Sequence, residues 1–196
     1  MRPRPAWPLA DDPTVLPAGL PIPADDGAAA HLPGLRLPDG LLLPSTGGEP
    51  VDLAERSAGR RTVVFAYPRT GRPDAAPLVP DWDLIPGARG CTPEACAFRD
   101  LSGAFDALGV DLFGLSTQDT TYQQEAAGRL RLPYPLLSDA ELLLTSALGL
   151  PTFDVAGMTL LKRLTLILSA GRVEQVLYPV FPPDRAAEAT IEVLRG

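Results

Sequence analysis

The sequence predicts an α/β fold in which a central mixed sheet is flanked by helices. Two segments rich in β-branched and apolar residues, Thr62–Tyr67 and Asp111–Ser116, are each followed by a helix-like stretch. Two further apolar runs flank Ala170-Gly171 and read as an antiparallel hairpin, so the sheet is not purely parallel. The 196 residues are 45% hydrophobic and 21% charged, enough for one domain with a full core.

The elements follow in chain order. Eleven of the 23 prolines fall within residues 1–50. Residues 1–30 read as a proline-rich arm with polyproline-like stretches such as Leu20-Pro21-Ile22-Pro23. The domain proper is expected over residues 31–196. Its first part, 31–53, alternates short apolar runs with Pro, Gly and Asp, which predicts short hairpin strands. The buried strand 62–67 ends at Pro68. Residues 69–90, with prolines at 73, 77, 80 and 86, then read as a long inserted loop. A helix is expected over 92–108, with Thr92 as N-cap, Pro93 at N1 and Gly109 as the stop. After the strand 111–116, Asp119 caps a helix running to about 131. Ser138 and Glu141 have capping-box spacing for a helix that stops at Gly149. The hairpin Leu164–Leu168 and Val173–Tyr178 leads to a last helix entered through Pro182-Pro183. That order of elements implies a sheet covered on both faces.

Composition excludes several functions. A formal charge of −7 argues against a nucleic-acid binder, which needs a basic face. No run approaches the roughly 18 apolar residues of a membrane span. The N-terminal MRPRPAWPLADDP is broken by Pro and Asp before an apolar signal region forms. Two cysteines and one histidine are too few for a Cys/His metal cage or a disulfide-stapled scaffold. His31, in the loosely patterned N-terminal part, reads as a surface residue.

The two cysteines themselves are informative. Ala95, Phe98, Leu101, Phe105 and Leu108 form one apolar helical stripe. On that wheel Cys91 falls about 20° from Phe98 and Cys96 about 160° from Phe98, on the opposite face, with the two cysteine Cα atoms about 8–9 Å apart. A disulfide needs about 4.4–6.8 Å, so the pair can bond only if the first turn and a half unwinds. A thiol at a helix N-terminus meets unpaired N–H groups and a partial positive charge, which favour thiolate; Arg89 adds to this. The competing reading is that both are small buried hydrophobes.

At Gly90-Cys91-Thr92-Pro93-Glu94-Ala95-Cys96-Ala97-Phe98-Arg99-Asp100 the sequence resembles the peroxiredoxins of the Q or bacterioferritin-comigratory type. Gly109–Ser116, Leu132–Asp139 and Lys162–Ile167 resemble three further family segments, in family order. The resemblance implies a thioredoxin-like fold and a thiol peroxidase acting on hydrogen peroxide and organic hydroperoxides. It implies Cys91 as nucleophile, Cys96 as resolving thiol, Arg163 as the guanidinium for developing charge, and Glu94 as its partner. It further implies thioredoxin as reductant, with no metal or organic cofactor. A cytoplasmic monomer is expected, because an intramolecular resolving thiol needs no partner subunit. Thr92 is then only a cap, and Arg99 a solvated charge or structural ion pair. The rival readings are a thiol–disulfide oxidoreductase acting on proteins, disfavoured by the Cys-x4-Cys spacing, and a non-catalytic holdase or binding protein.

One departure stands out. The family carries Pro-x-x-x-Thr/Ser-x-x-Cys at the nucleophile, whereas Ala88 and Leu84 hold the corresponding positions here. Pro68 follows the strand as the family proline does, yet lies 23 residues before Cys91. Two substitutes for the missing hydroxyl are open: the Thr70 side chain, or backbone N–H groups of Gly87-Ala88-Arg89-Gly90.

Overall fold

The structure, a computed structural model, describes residues 14–73 and 75–196. Of the arm expected over residues 1–30, residues 1–13 lie outside the described residues. Residues 14–30 contain no strand or helix, but Ala29, just before Leu32, is buried in the core.

A short hairpin opens the regular part, β1 (Leu42–Leu43) paired antiparallel with β2 (Val51–Asp52). Helix α1 (Leu53–Gly59) follows at once, where a strand had been expected through Leu53. The missed signal is Asp52, whose carboxylate accepts from the Ala54 and Glu55 N–H groups and so starts the helix. Strand β3 (Thr62–Ala66) is buried along its whole length.

The helix expected over 92–108 is two helices, α2 (Cys91–Asp100) and α3 (Ser102–Ala107). The break falls at Leu101, beside Ser102-Gly103, a pair that weakens helical continuity. Thr92 is not the cap. Gly90 is, with a φ of 108° that suits glycine, and Thr92 lies buried inside the first turn. Strand β4 (Asp111–Ser116) and helix α4 (Thr120–Leu130) match expectation, with Asp119 accepting from the Tyr122 N–H. The capping box at Ser138 and Glu141 does not form. Ser138 ends strand β5 (Leu136–Ser138) and its hydroxyl donates to the Gln118 carbonyl. Asp139 instead accepts from the N–H groups of Leu144 and Thr145 and starts the short α5 (Leu143–Leu148). His31 is exposed, as expected, with Nε2 2.9 Å from the Leu148 carbonyl.

An unanticipated hairpin comes next, β6 (Thr152–Val155) with β7 (Met158–Leu161). The predicted hairpin β8 (Leu164–Ser169) and β9 (Arg172–Leu177) follows, then a 3-10 turn at Pro183–Arg185 and α6 (Ala186–Arg195).

The central sheet has the order β5-β4-β3-β8-β9, with β3, β4 and β5 parallel and β8 and β9 antiparallel to their neighbours. Alternation along β3 sends Val64 and Ala66 to one face and Val63 and Phe65 to the other. The first face packs against α1 and α5 through Leu53, Leu144 and Leu148. The second packs against α2, α3 and α6 through Phe98, Phe105 and Ile191, and Phe98 stacks on Phe65 at 4.2 Å. This stack fixes α2 against the sheet and sets its first turn at the end of β3. The 69–90 insertion packs on the β6–β7 hairpin, where Trp82 and Ala88 meet Leu160 in a third, smaller core.

Candidate active site

Three of the four residues singled out by sequence converge. Cys91 is the first residue of α2 and Glu94 lies one turn on, while Arg163 is in the short link between β7 and β8. The Arg163 guanidinium donates from Nη1 to Glu94 Oε2, from Nη2 to Cys91 Sγ at 3.2 Å, and from Nη2 to the carbonyls of Gly87 and Arg89, each at 3.2 Å. The side chains of Arg163 and Glu94 are 1% and 0% exposed. This is no surface arginine, and Glu94 is no exposed first-turn acid serving the helix dipole alone. Such a buried pair leaves one fork of the guanidinium aimed at sulfur, because the other is held by the carboxylate.

Cys96 stands apart. It is half-buried on the same helix, five residues on, so its side chain leaves the helix on the side away from Cys91. Both thiols are free. Burial pushes the Cys96 thiol up, with Arg99 opposing. Arg99 itself pairs with Asp100 at 2.8 Å and donates to the Leu130 carbonyl, a structural role.

The electrostatics differ from the expectation of a helix-lowered thiol. Burial is the largest influence on Cys91 and pushes its thiol up; Arg163 pulls it down, and the Glu94 carboxylate works against that pull. Burial also raises the Glu94 carboxyl, to about 7, against the attraction of Arg163. Arg89 does not serve the thiol by charge. Its guanidinium pairs with Asp83 at 3.3 Å, and its contribution to the site is a carbonyl.

Of the two substitutes for the family hydroxyl, the Thr70 side chain is corrected. The Thr70 hydroxyl donates to Gln118 Oε1 at 3.1 Å, and the Thr70 N–H donates to the same oxygen at 2.9 Å. The 87–90 segment gives acceptors to the site: Gly87 and Arg89 give carbonyls to Arg163, and the Ala88 carbonyl accepts from the Cys91 thiol at 3.6 Å. Besides Arg163, the backbone N–H of Arg69, next to Pro68, pulls the Cys91 thiol down. Sequence reading passed over Arg69, although its place directly after the strand-ending proline was the available signal. Thr70→Val is therefore expected to leave peroxide turnover within about twofold of wild type while lowering stability by about 1 kcal/mol. Steady-state peroxide consumption beside a thermal melt checks this, and a tenfold rate loss would bring the hydroxyl back into the site.

Cys91 forms the floor of a cavity of about 630 Å3. Its lining comes largely from the insertion, Arg69, Arg72, Leu78 and Trp82 among it, and is joined by Tyr122. Arg69 and Arg72 both lie over the Tyr122 ring at 4.6 Å. Among the described residues no cluster of three His, Cys, Asp or Glu is placed to hold a metal ion, and no helix is long and apolar enough to cross a membrane.

Comparison with known proteins agrees with this arrangement. The Redoxin family profile matches residues 22–192. Peroxiredoxin Q from the chloroplast of Gentiana triflora is 30% identical over 185 residues, 92% of this chain and 76% of the relative. The peroxidoxin BcpB of Mycobacterium tuberculosis superposes with a TM-score of 0.65 at 30% identity, covering 84% of this chain and 96% of that one. Peroxiredoxin Q of Xanthomonas campestris superposes with a TM-score of 0.64 at 26% identity, over 82% and 95% of the two chains. A redoxin profile over most of the chain, peroxiredoxin Q relatives along nearly all of it, and a thioredoxin-like sheet carrying a cysteine beside a buried arginine lead to one assignment: the chain belongs to the Q-type peroxiredoxins, which are thiol-dependent peroxidases.

Proposed function

We propose that Cys91 is the peroxidatic thiol and Cys96 the resolving thiol of this peroxidase. The observation that carries this is the Arg163 guanidinium 3.2 Å from Cys91 Sγ, locked by Glu94 and two carbonyls at the floor of a cavity. The Cys91 thiolate attacks the distal oxygen of ROOH; the O–O bond breaks, and a proton leaves with RO⁻ as ROH. Cys91 is left as sulfenic acid. Arg163 stabilises both the thiolate and the charge developing on RO⁻ without reorganising, since its position is already set. Cys96 then condenses with the sulfenic acid, releasing water and forming the Cys91–Cys96 disulfide. A thioredoxin-type dithiol returns both thiols by exchange.

Three further features of this reading follow. The intramolecular pair supports a monomer, and the dithiol recycling fits a reducing compartment such as the cytoplasm. Organic hydroperoxides are included as substrates because the cavity above Cys91 holds more than hydrogen peroxide requires; a bacterioferritin comigratory protein of Xanthomonas campestris, 25% identical here, is known for alkyl peroxide reduction. A thiol–disulfide oxidoreductase acting on proteins is not favoured, because Cys91 is only 3% exposed and a folded protein disulfide cannot reach it.

A continuous α2 keeps the two Cα atoms about 8–9 Å apart, so the disulfide requires the first turn and a half to unwind. The helical bonds given up are worth roughly 0.5–1.5 kcal/mol each. Amide hydrogen exchange at residues 92–99 is expected to rise on oxidation while β3 and β4 stay protected. The test pairs this with intact mass after one equivalent of peroxide. A confirmed disulfide with equal protection of α2 in both redox states would contradict the unwinding step. An absent disulfide, with one oxygen added, would assign Cys96 a structural role.

A further inference from the structure

Residues 14–30 have no regular structure, yet they run along the back of the site. Asp26 anchors them: its carboxylate accepts from Lys162 Nζ at 2.5 Å and from the Tyr178 hydroxyl at 2.7 Å. Lys162 is the residue next to Arg163. From there the segment passes Gly87, where a methyl added to the glycine would lie 3.8 Å from Pro23. It then reaches Gly90, where an added methyl would lie 2.9 Å from Leu16 Cδ2 and 2.5 Å from Pro183 Cγ. Leu16 and Pro23 are half-buried, whereas Ile22 is 73% exposed, so the segment has an inner and an outer face.

The stretch it covers, Gly87 to Gly90, supplies the carbonyls that hold Arg163 and the cap of α2. The Gly90 carbonyl accepts the first helical bond, from the Glu94 N–H at 3.0 Å. For residues 91–94 to leave the helix, the Glu94 bond to Gly90 has to break, and Gly90 is packed by Leu16 and Pro183 on the side where a side chain would sit. Close packing transmits that restraint, because a filled contact yields only if the neighbour moves.

We propose that residues 16–26 are a strap across the start of α2, with Leu16 a positioning residue that sets how quickly Cys91 can leave its pocket after oxidation. This rests on the reading of Cys91 and Cys96 as peroxidatic and resolving thiols. Once the sulfenic acid exists, two reactions compete for it. Condensation with Cys96 forms the S–S bond and releases water; a second ROOH oxidises the sulfur to sulfinic acid and is itself reduced to ROH. The strap favours the second by holding the sulfenic acid beside Arg163, so loosening it shifts the balance toward disulfide.

The experiment treats the full chain, without reductant, with a fixed excess of hydrogen peroxide and measures disulfide and sulfinic acid by mass. In Leu16→Ala the disulfide-to-sulfinic ratio is expected to rise about fivefold, the scale of losing a partly buried apolar contact. Asp26→Ala, which frees the anchor at the other end, moves the ratio in the same direction. Ile22→Ala, on the outer face, leaves it unchanged. The rate of the first oxidation stays within about twofold in all three, since the strap touches none of the reacting atoms. An unchanged or lowered ratio in both Leu16→Ala and Asp26→Ala overturns the strap, as does an equal rise in Ile22→Ala. A wild-type chain that consumes one equivalent of peroxide but never forms the disulfide would instead overturn the assignment of Cys96 on which the strap depends.

Discussion

Cys91→Ser is expected to abolish peroxide turnover, because a serine hydroxyl in the same buried pocket is neither ionised nor a soft nucleophile. The fold should survive, since the contacts of the thiol with the Ala88 carbonyl, Arg163 and the Arg69 N–H are ones a serine hydroxyl can also make. Cys96→Ser behaves differently. Its first oxidation proceeds at the normal rate, one equivalent of peroxide disappears, and the protein then stalls as the sulfenic acid or passes to sulfinic acid. Single-turnover kinetics with mass detection separates the two variants. Normal turnover in Cys91→Ser, with the first oxidation lost in Cys96→Ser, would reverse the two roles.

Arg163→Met is expected to slow the first oxidation by about 10²–10³-fold, the scale of losing one preorganised donor at a transition state. Two effects act together. The guanidinium no longer meets the charge developing on the leaving oxygen, and the Cys91 thiol, already pushed up by burial, loses the cation that pulls it down. The sign is definite: without the cation less thiolate is present at any given pH, so the acid limb of the pH–rate profile moves to higher pH. Folding has to be separated from chemistry here. Removing Arg163 alone strands the buried Glu94 carboxylate, which costs about 3–5 kcal/mol if the charge is kept. The double variant Arg163→Met with Glu94→Gln removes both charges, so it should regain most of the stability without regaining the rate. Rate recovery in the double variant would mean that Arg163 acts only by neutralising Glu94.

Much of this was legible along the chain because it is written in local periodicity. The strands 62–66, 111–116 and 164–169 are runs of β-branched and apolar residues, and burial on both faces leaves such runs few alternatives. Asp119 was readable as a cap because its partner, the Tyr122 N–H, is three residues away. Misreadings arose where two local signals compete. Ser138 and Asp139 both offer a cap, and β5 pairing with β4 takes Ser138 into the sheet, leaving the role to Asp139. Ser102-Gly103 could sit within one helix or between two, and the structure puts the break directly before it, at Leu101.

What the sequence determined by itself was four of the five strands of the central sheet, the placement of Cys91 at a helix start, and the pairing of Cys91, Glu94 and Arg163 through their likeness to family segments. What only the tertiary structure decided were the groups that meet across long chain separations. Arg69 gives its N–H to a sulfur 22 positions on. Thr70 is claimed by Gln118 rather than by the site. The insertion folds against the β6–β7 hairpin through Trp82 and Leu160, and residues near 16 and 23 close on Gly90 and Gly87. The sign of the Cys91 thiol's shift belongs here as well. A helix N-terminus is visible in sequence and lowers it, but the loss of water around a fully enclosed sulfur raises it more, and enclosure is a property of everything packed around the residue rather than of its neighbours in the chain.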